Sequence, residues 1–101
     1  MKTSFLKPGS FYVEYIDGNP SYLLQFVTPL PKWYTNPMGH KVTYLFKLLA
    51  CSFLDDYSSD ALSPDYWLND CHLKSLARVA KKDAMYYIKE WPISFGRYKN
   101  T

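Results

Sequence analysis

The sequence contains few of the residues that define specialised classes of protein. Its 101 residues include two cysteines, Cys51 and Cys71, which are too few for a disulfide framework and lack the Cys-x-x-Cys spacing of metal and redox motifs. The longest apolar run, residues 48–54, is interrupted by Ser52 and is too short to cross a bilayer. Residues 1–8 lack the apolar segment of a signal peptide. We therefore expect a cytoplasmic protein without a membrane partner.

Motifs of catalysis and metal binding are also missing. The chain has four glycines and no Gly-rich phosphate loop, no Gly-x-Ser-x-Gly segment and no zinc-finger spacing. Cys71 and His72 are adjacent, but neighbours on a helix point about 100° apart, and no zinc motif includes them with Cys51 and His40. The aspartates of residues 55–70 lack the spacing of a calcium loop. The sequence thus predicts a non-catalytic protein without a metal or cofactor.

Aromatic residues are abundant by contrast. Phe, Trp and Tyr make up 19% of the chain, which has ten tyrosines, while 48% of residues are hydrophobic and 21% are charged. This composition is typical of a globular protein, and the length predicts a single domain over residues 1–101. A core of this size cannot bury ten tyrosines. Some must lie at the surface, where amphipathic rings are suited to contacts with a partner.

The first half of the chain has the pattern of a β-meander over residues 10–53. Residues 11–16 and 21–28 are rich in aromatic and β-branched residues, and the turn formers Asp17, Gly18, Asn19 and Pro20 separate them. Residues 42–53 fit both a strand and a helix, since their apolar residues satisfy both spacings. The β-branched start at Val42 favours a third strand.

The second half begins with a predicted acidic loop over residues 54–63 and continues as helix over residues 64–91. Ser63 and Pro64 are suited to the N-cap and first position of a helix, and Pro92 would end it. Apolar residues recur at steps of three and four: Leu73, Leu76, Ala77, Ala80, Ala84, Ile88 and Trp91. In the tail, residues 92–101, positions 93–95 could add an edge strand. We predict an α+β fold in which a three-stranded, or four-stranded, antiparallel sheet packs against a C-terminal amphipathic helix.

The loop over residues 29–41 is the first candidate binding site. Pro29, Pro31, Pro37 and Gly39 interrupt regular structure there. Trp and Tyr are over-represented among the residues that dominate binding energy. The predicted partner-binding residues are Lys32, Trp33, Tyr34 and Met38. The alternative is a loop that packs its own rings onto the sheet.

Basic residues near the C-terminus form the second candidate site. The charge pattern along the chain is basic, then acidic over residues 54–70, then basic again. Cations on the polar side of the predicted helix, continued into the tail, could follow a phosphate backbone. The candidate nucleic-acid-binding residues are Lys74, Arg78, Lys81, Lys82, Lys89, Arg97 and Lys99. An ordinary amphipathic helix also exposes its lysines.

These features favour a small protein-binding module that acts by steric occupation of a larger macromolecule. In style, an aromatic-rich domain without catalytic motifs resembles the accessory and inhibitor proteins of phages and mobile elements, which often occupy a host protein. The alternative is a nucleic-acid-binding domain that uses the basic helix and tail. The sequence leaves the partner's identity and the oligomeric state open.

Overall fold

A computed structural model describes residues 5–52 and 65–94 of the chain. Within these two ranges, the named elements are six strands, one α-helix and one 3₁₀ helix. The strands are β1 (Phe11–Ile16), β2 (Asn19–Pro29), β3 (Tyr44–Cys51), β4 (Asp65–Leu68), β5 (Leu76–Val79) and β6 (Ile93–Ser94). The 3₁₀ helix, Asp70–Ser75, lies between β4 and β5, and α1, Lys81–Glu90, follows β5.

Strands β1 and β2 form a hairpin whose turn is set by two residues. Ile16 pairs with Asn19, which leaves Asp17 and Gly18 as the loop. Both have positive φ angles, 52° and 80°, as a type I′ turn requires. Glycine reaches this region without steric cost, and aspartate tolerates it better than most residues. The sequence Asp-Gly therefore determines the register of the hairpin.

The sheet is antiparallel, with the strand order β4-β3-β2-β1-β5. β2 follows one edge of β3 along its length, from Tyr44 to Cys51. The other edge of β3 is shared, since β4 pairs with its first half and β6 pairs with Ala50 and Cys51. β4 and β5 are neighbours in the chain but lie at opposite edges of the five-strand row, so the 3₁₀ helix crosses from one edge to the other.

The sheet buries apolar residues on both faces. We call the face that bears Tyr12 the inner face. The other core residues of the sheet on this face are Leu24, Phe26, Tyr44, Phe46, Leu48, Leu68 and Leu76. Leu73 of the 3₁₀ helix and Leu6 of the N-terminal segment cover this face. The Tyr12 hydroxyl ties that segment down, because it donates to the Phe5 carbonyl at 2.8 Å and accepts from the Lys7 amide at 2.9 Å.

Helix α1 covers the opposite, outer face. Ala84 is fully buried there against Val13, Leu23 and Ala50, and partly buried apolar residues surround this cluster. Within α1 and its C-cap, the packing residues are Ala84, Tyr87, Ile88 and Trp91. Their steps of three and four place them on one side of a helix, so the predicted amphipathic packing is confirmed for this part of the chain.

The structure has the predicted α+β class with an antiparallel sheet and a helix, but the helix is shorter and the strands are more numerous than predicted. The helix expected over residues 64–91 is limited to Lys81–Glu90, because residues 65–68 form β4, residues 70–75 a 3₁₀ helix and residues 76–79 β5. The sheet consequently has more strands than the three or four expected. The β-meander is confirmed, residues 44–51 are a strand, and β6 matches the expected edge strand at Ile93 and Ser94. The acidic loop over residues 54–63 lies outside the described residues.

Candidate functional site

The loop between β2 and β3 has a defined backbone structure. The Leu30 amide donates to the Thr43 carbonyl at 2.8 Å where the two strands diverge, and Thr35 and Lys41 form an isolated bridge. Beyond the bridge the chain turns at residues 36–39, where the Gly39 amide donates to the Asn36 carbonyl at 2.9 Å. Gly39 has φ of 86°, a conformation that glycine adopts readily. We call residues 30–43 the aromatic loop.

Asn36 holds the tip of the aromatic loop together. Asn36 is only 5% exposed. Its side-chain Oδ1 accepts hydrogen bonds from the backbone amides of Met38 at 3.1 Å and His40 at 2.9 Å. The backbone amide of Asn36 donates to the His40 carbonyl at 2.9 Å. Asparagine before proline is favoured in such turns because its oxygen can bond to the following amides. The tip is thus fixed by local bonds and one proline.

Two large apolar residues of this loop, Trp33 and Met38, are exposed to solvent. Trp33 is 80% exposed and Met38 is 68% exposed, whereas Tyr34 is half-buried and Lys32 is exposed. The rings of Trp33 and Tyr34 lie with centroids 6.5 Å apart. Trp33 therefore does not pack onto the sheet, which was the alternative that the sequence left open. Such a ring on a fixed loop is available for contact.

The structure does not bring the basic candidate residues together on one helix. Lys81, Lys82 and Lys89 belong to α1, whereas Arg78 lies on the edge strand β5 and Lys74 on the 3₁₀ helix. Lys74 follows Leu73, which packs on the inner face, while α1 packs on the outer face. The predicted continuous basic face is therefore wrong. Arg97 and Lys99 lie outside the described residues.

Arg78 and Lys81 nevertheless border one concavity, about 430 Å³ in volume, at the start of α1. Its remaining lining comes from the segment around Gly9 and Ser10 and from the β5–α1 junction. Both cations are exposed, and Lys82 follows them on the first turn of the helix. A shared concavity therefore supports the pairing of Arg78 with Lys81.

A larger groove lies over the inner face, beside the aromatic loop. We call this cavity of about 970 Å³ the Glu14 groove, after the carboxylate that lines it. Its walls come from β1, β2, β3, the aromatic loop, β4 and the start of the 3₁₀ helix. The residues that line it are Glu14, Ile16, Tyr22, Asn36, Pro37, Met38, His40, Lys41, Val42, Leu48, Asp65, Tyr66, Trp67, Leu68, Asn69 and His72.

Glu14 is the most unusual residue of this groove, because its carboxylate is buried. It lies on β1 between Tyr22 of β2 and Leu76 of β5 and is only 4% exposed. The Tyr66 hydroxyl donates to Glu14 Oε1 at 2.7 Å. Burial, and secondly this hydrogen bond to a carboxylate, raise the pKa of Tyr66 well above its usual range, so the phenol keeps its proton.

This contact also shows the shape of the sheet. Tyr66 lies on β4 and Glu14 on β1, and two strands separate them. Neighbouring strands lie about 4.8 Å apart, so the two side chains meet over a sheet width of roughly 14 Å. Register shifts in the β1–β2 and β2–β3 ladders, of the kind that bend strands, accompany this curvature. The inner face is concave, and the Glu14 groove occupies part of the concavity.

Polar contacts fix the rim of the groove at the start of the 3₁₀ helix. The backbone amide of Asn69 donates to His72 Nδ1 at 3.0 Å, and the Thr43 hydroxyl donates to the Asn69 side-chain Oδ1 at 3.0 Å. Nearby, the Tyr44 hydroxyl donates to Asp70 Oδ1 at 2.6 Å. Burial, followed by this contact with Asp70, raises the pKa of Tyr44 to about 12. His72 acts here as a helix-capping acceptor.

The described residues contain no group of three or more His, Cys, Asp or Glu side chains arranged to hold a metal ion. Cys51 is buried in β3, Cys71 is exposed, and Cys71 Sγ lies 3.8 Å from His72 Nδ1. One donor in the groove stands out, because Trp67 Nε1 is buried and has no acceptor within the described ranges.

Sequence reasoning placed Glu14 in a strand but not in a site. A usable signal was present, since Glu14 is the one charged residue of β1, two positions after Tyr12. Residues two apart share a face of a strand, so Glu14 and the core residue Tyr12 must point the same way. The other residues of the groove come from distant segments, and no local pattern links them.

Comparisons with known proteins add no function to these observations. No protein-family model matches the chain, and no significant similarity to curated proteins or solved structures is found. Among the residues that the structure describes, no helix is long and apolar enough to cross a membrane.

Proposed function

We propose that this protein is a non-catalytic, protein-binding module that docks through its aromatic loop and acts by occupying the surface of a larger partner. The observation that carries the proposal is the exposure of Trp33 and Met38 on a loop fixed by Asn36. Trp is among the commonest anchors of protein interfaces. A preformed loop also loses little conformational entropy on binding.

The arrangement of the loop supports this assignment further. Lys32 and Tyr34 are the neighbours of Trp33 in the sequence, so polar groups lie close to the apolar anchor along the chain, as in the rim of an interface. Met38 combines exposure with a position on the wall of the Glu14 groove. A partner seated on the loop would therefore meet both the exposed rings and the mouth of the groove.

The test is affinity capture from the native host with the intact chain and two single variants. We expect a specific protein to be captured by the unmodified chain and by Tyr86→Ala, but not by Trp33→Ala. Tyr86 is a matched control, because it is another exposed aromatic residue, 59% accessible, on α1. Equal capture by both variants would contradict the proposal that the aromatic loop makes the contact.

A second function, nucleic-acid binding, is supported only by the concavity that Arg78 and Lys81 share. Phosphate contacts release counterions, so the logarithm of affinity falls with the logarithm of salt concentration by about 0.9 for each phosphate neutralised. If generic DNA or RNA binds, the double variant Arg78→Ala/Lys81→Ala should reduce that slope by about 2. The control Lys41→Ala/Lys47→Ala removes two exposed cations that are not among the candidate nucleic-acid-binding residues. Equal slopes for both double variants would reject this interface.

A further inference from the structure

The buried carboxylate of Glu14 lacks the partner that a buried charge normally has. Its single hydrogen bond comes from the neutral phenol of Tyr66, and no lysine, arginine or histidine of residues 5–52 and 65–94 forms an ion pair with it. An ionised carboxylate can accept about four hydrogen bonds. Buried charges in proteins are usually paired, since removal from water without compensation is costly. A donor that carries a positive charge would therefore be a suitable partner for Glu14.

Aromatic rings surround this carboxylate. The rings of Tyr22 and Tyr66 have centroids 5.4 Å apart and planes inclined by 38°, and Trp67 lines the same groove. Aromatic faces carry negative potential and attract ammonium and guanidinium groups within about 6 Å. A carboxylate beside such faces combines charge pairing with cation–π attraction. Apolar side chains such as Ile16 and Leu48 would contact the alkyl part of the ligand.

The buried Glu14 has a stronger electrostatic effect on the groove than the exposed Lys41. Lys41 also lines the groove, but it is exposed, so water and salt screen its charge. Glu14 is buried, and the interaction of a buried charge with a ligand is several times stronger than that of a solvated one. The field at the bottom of the groove therefore favours a cation.

We propose that the Glu14 groove binds an alkylguanidinium or alkylammonium group, which pairs with the Glu14 carboxylate beside the contacting rings of Tyr22 and Tyr66. The group could belong to a free small molecule or to an arginine or lysine side chain of a protein. In either case the recognised chemistry is one positive charge at the end of an apolar chain.

The experiment is an NMR titration of the intact, isotope-labelled chain with three butyl compounds. n-Butylguanidinium should bind with a dissociation constant of about 1–10 mM, as expected for so small a ligand, and should shift the amide signals of Glu14, Tyr22 and Tyr66. n-Butanol and n-butyrate should bind at least about tenfold more weakly, since they lack the positive charge. Equal binding of n-butanol, or no saturable binding of n-butylguanidinium, would overturn the proposal.

A charge-removing variant locates the site. Glu14→Gln keeps an oxygen that can accept from Tyr66 and should weaken n-butylguanidinium binding at least about tenfold, the scale of one charge-assisted contact. Asp17→Asn is the matched control, because it removes an exposed carboxylate from the β1–β2 turn and should leave binding unchanged. Equal affinity in the two variants would refute the role of Glu14. Because the three-ligand comparison uses the unmodified chain, it remains decisive even if Glu14→Gln does not fold.

Two further measurements separate the sources of the cation and the two proposals. An acetylated and amidated Gly-Arg-Gly peptide that binds at least about tenfold more tightly than n-butylguanidinium identifies a protein side chain as the source, since its backbone adds contacts. Equal affinities identify a free small cation. Trp33→Ala should leave n-butylguanidinium binding intact. Failure of partner capture would therefore not contradict the proposed cation site, and failure of cation binding would not contradict the proposed role of the aromatic loop.

Discussion

The Tyr66 hydroxyl donates a 2.7 Å hydrogen bond to Glu14 Oε1, although 52 residues separate the two in sequence. The bond joins β4 to β1 over the concave face of the sheet and satisfies one side of a buried carboxylate. It is thus both a tertiary link and a support for the position of Glu14.

Removal of this bond should destabilise the fold. Tyr66→Phe deletes one hydroxyl and leaves Glu14 buried without that donor, so we expect the free energy of unfolding to fall by about 2–3 kcal/mol. Urea denaturation followed by fluorescence measures the change. Tyr86→Phe, which deletes an exposed hydroxyl on α1, should alter stability by less than about 0.5 kcal/mol. Similar losses in the two variants would show that the Glu14 contact adds nothing.

Alkaline pH should weaken the fold through Tyr44. Its pKa is about 12 in the folded chain and about 10 in the unfolded chain, so the unfolded state loses this proton first. The contribution of protonated Tyr44 to stability is complete below pH 10. As pH rises from 10 towards 12, the free energy of unfolding falls by up to about 1.4 kcal/mol per pH unit. Tyr44→Phe should make the decline between pH 10 and pH 12 shallower. Asp70→Asn should do so to a smaller extent, since burial is the larger cause of the shift.

Those slopes come from urea denaturation repeated at half-unit steps of pH. A Tyr44→Phe slope identical to that of the unmodified chain would mean that Tyr44 titrates alike in the folded and unfolded states.

The tip of the aromatic loop should depend on Asn36. Asn36→Ala removes the oxygen that accepts from the Met38 and His40 amides, leaving both donors without this partner. We expect a loss of about 1–3 kcal/mol in stability and faster hydrogen exchange at these two amides. Asn36→Asp keeps an acceptor and should preserve most of the protection. Unchanged exchange in Asn36→Ala would show that proline and backbone bonds alone fix the tip.

Trp33 should matter for binding and not for folding. Because the side chain is 80% exposed, Trp33→Ala should change the free energy of unfolding by less than about 0.5 kcal/mol. Once the partner is isolated, the same change should weaken binding by about 2 kcal/mol or more, close to thirtyfold, as loss of an interface anchor does. Calorimetry of the complex and a thermal melt of the free chain measure the two effects. A destabilised variant with intact binding would contradict both statements.

Local sequence was sufficient to predict those elements that depend on residues close together in the chain. The Asp17-Gly18 turn and the alternation of residues 11–16 and 21–28 predict the first hairpin, since positive φ angles and a period of two are properties of short segments. The exposure of Trp33 was not decided by the sequence, which left open whether the loop packs its rings onto the sheet.

Residues 71–80 show where local patterns fail. Leu73 and Leu76 have helical spacing, yet Leu73 lies in a 3₁₀ helix and Leu76 begins β5. The pattern is satisfied because both residues face the inner core from consecutive elements. What makes residues 76–79 a strand is pairing with β1, more than sixty positions earlier, and that gain is not visible in the segment itself.

Local sequence was enough to fix the hairpin turn, the alternation of β1 and β2 and the apolar side of α1, because each depends on residues a few positions apart. Tertiary structure alone decided that β5 pairs with β1, that the basic residues separate, and that Glu14 meets Tyr66. These outcomes depend on the order and curvature of the strands, through which residues distant in the chain share one concave face. A buried carboxylate becomes a candidate site only when that face closes around it.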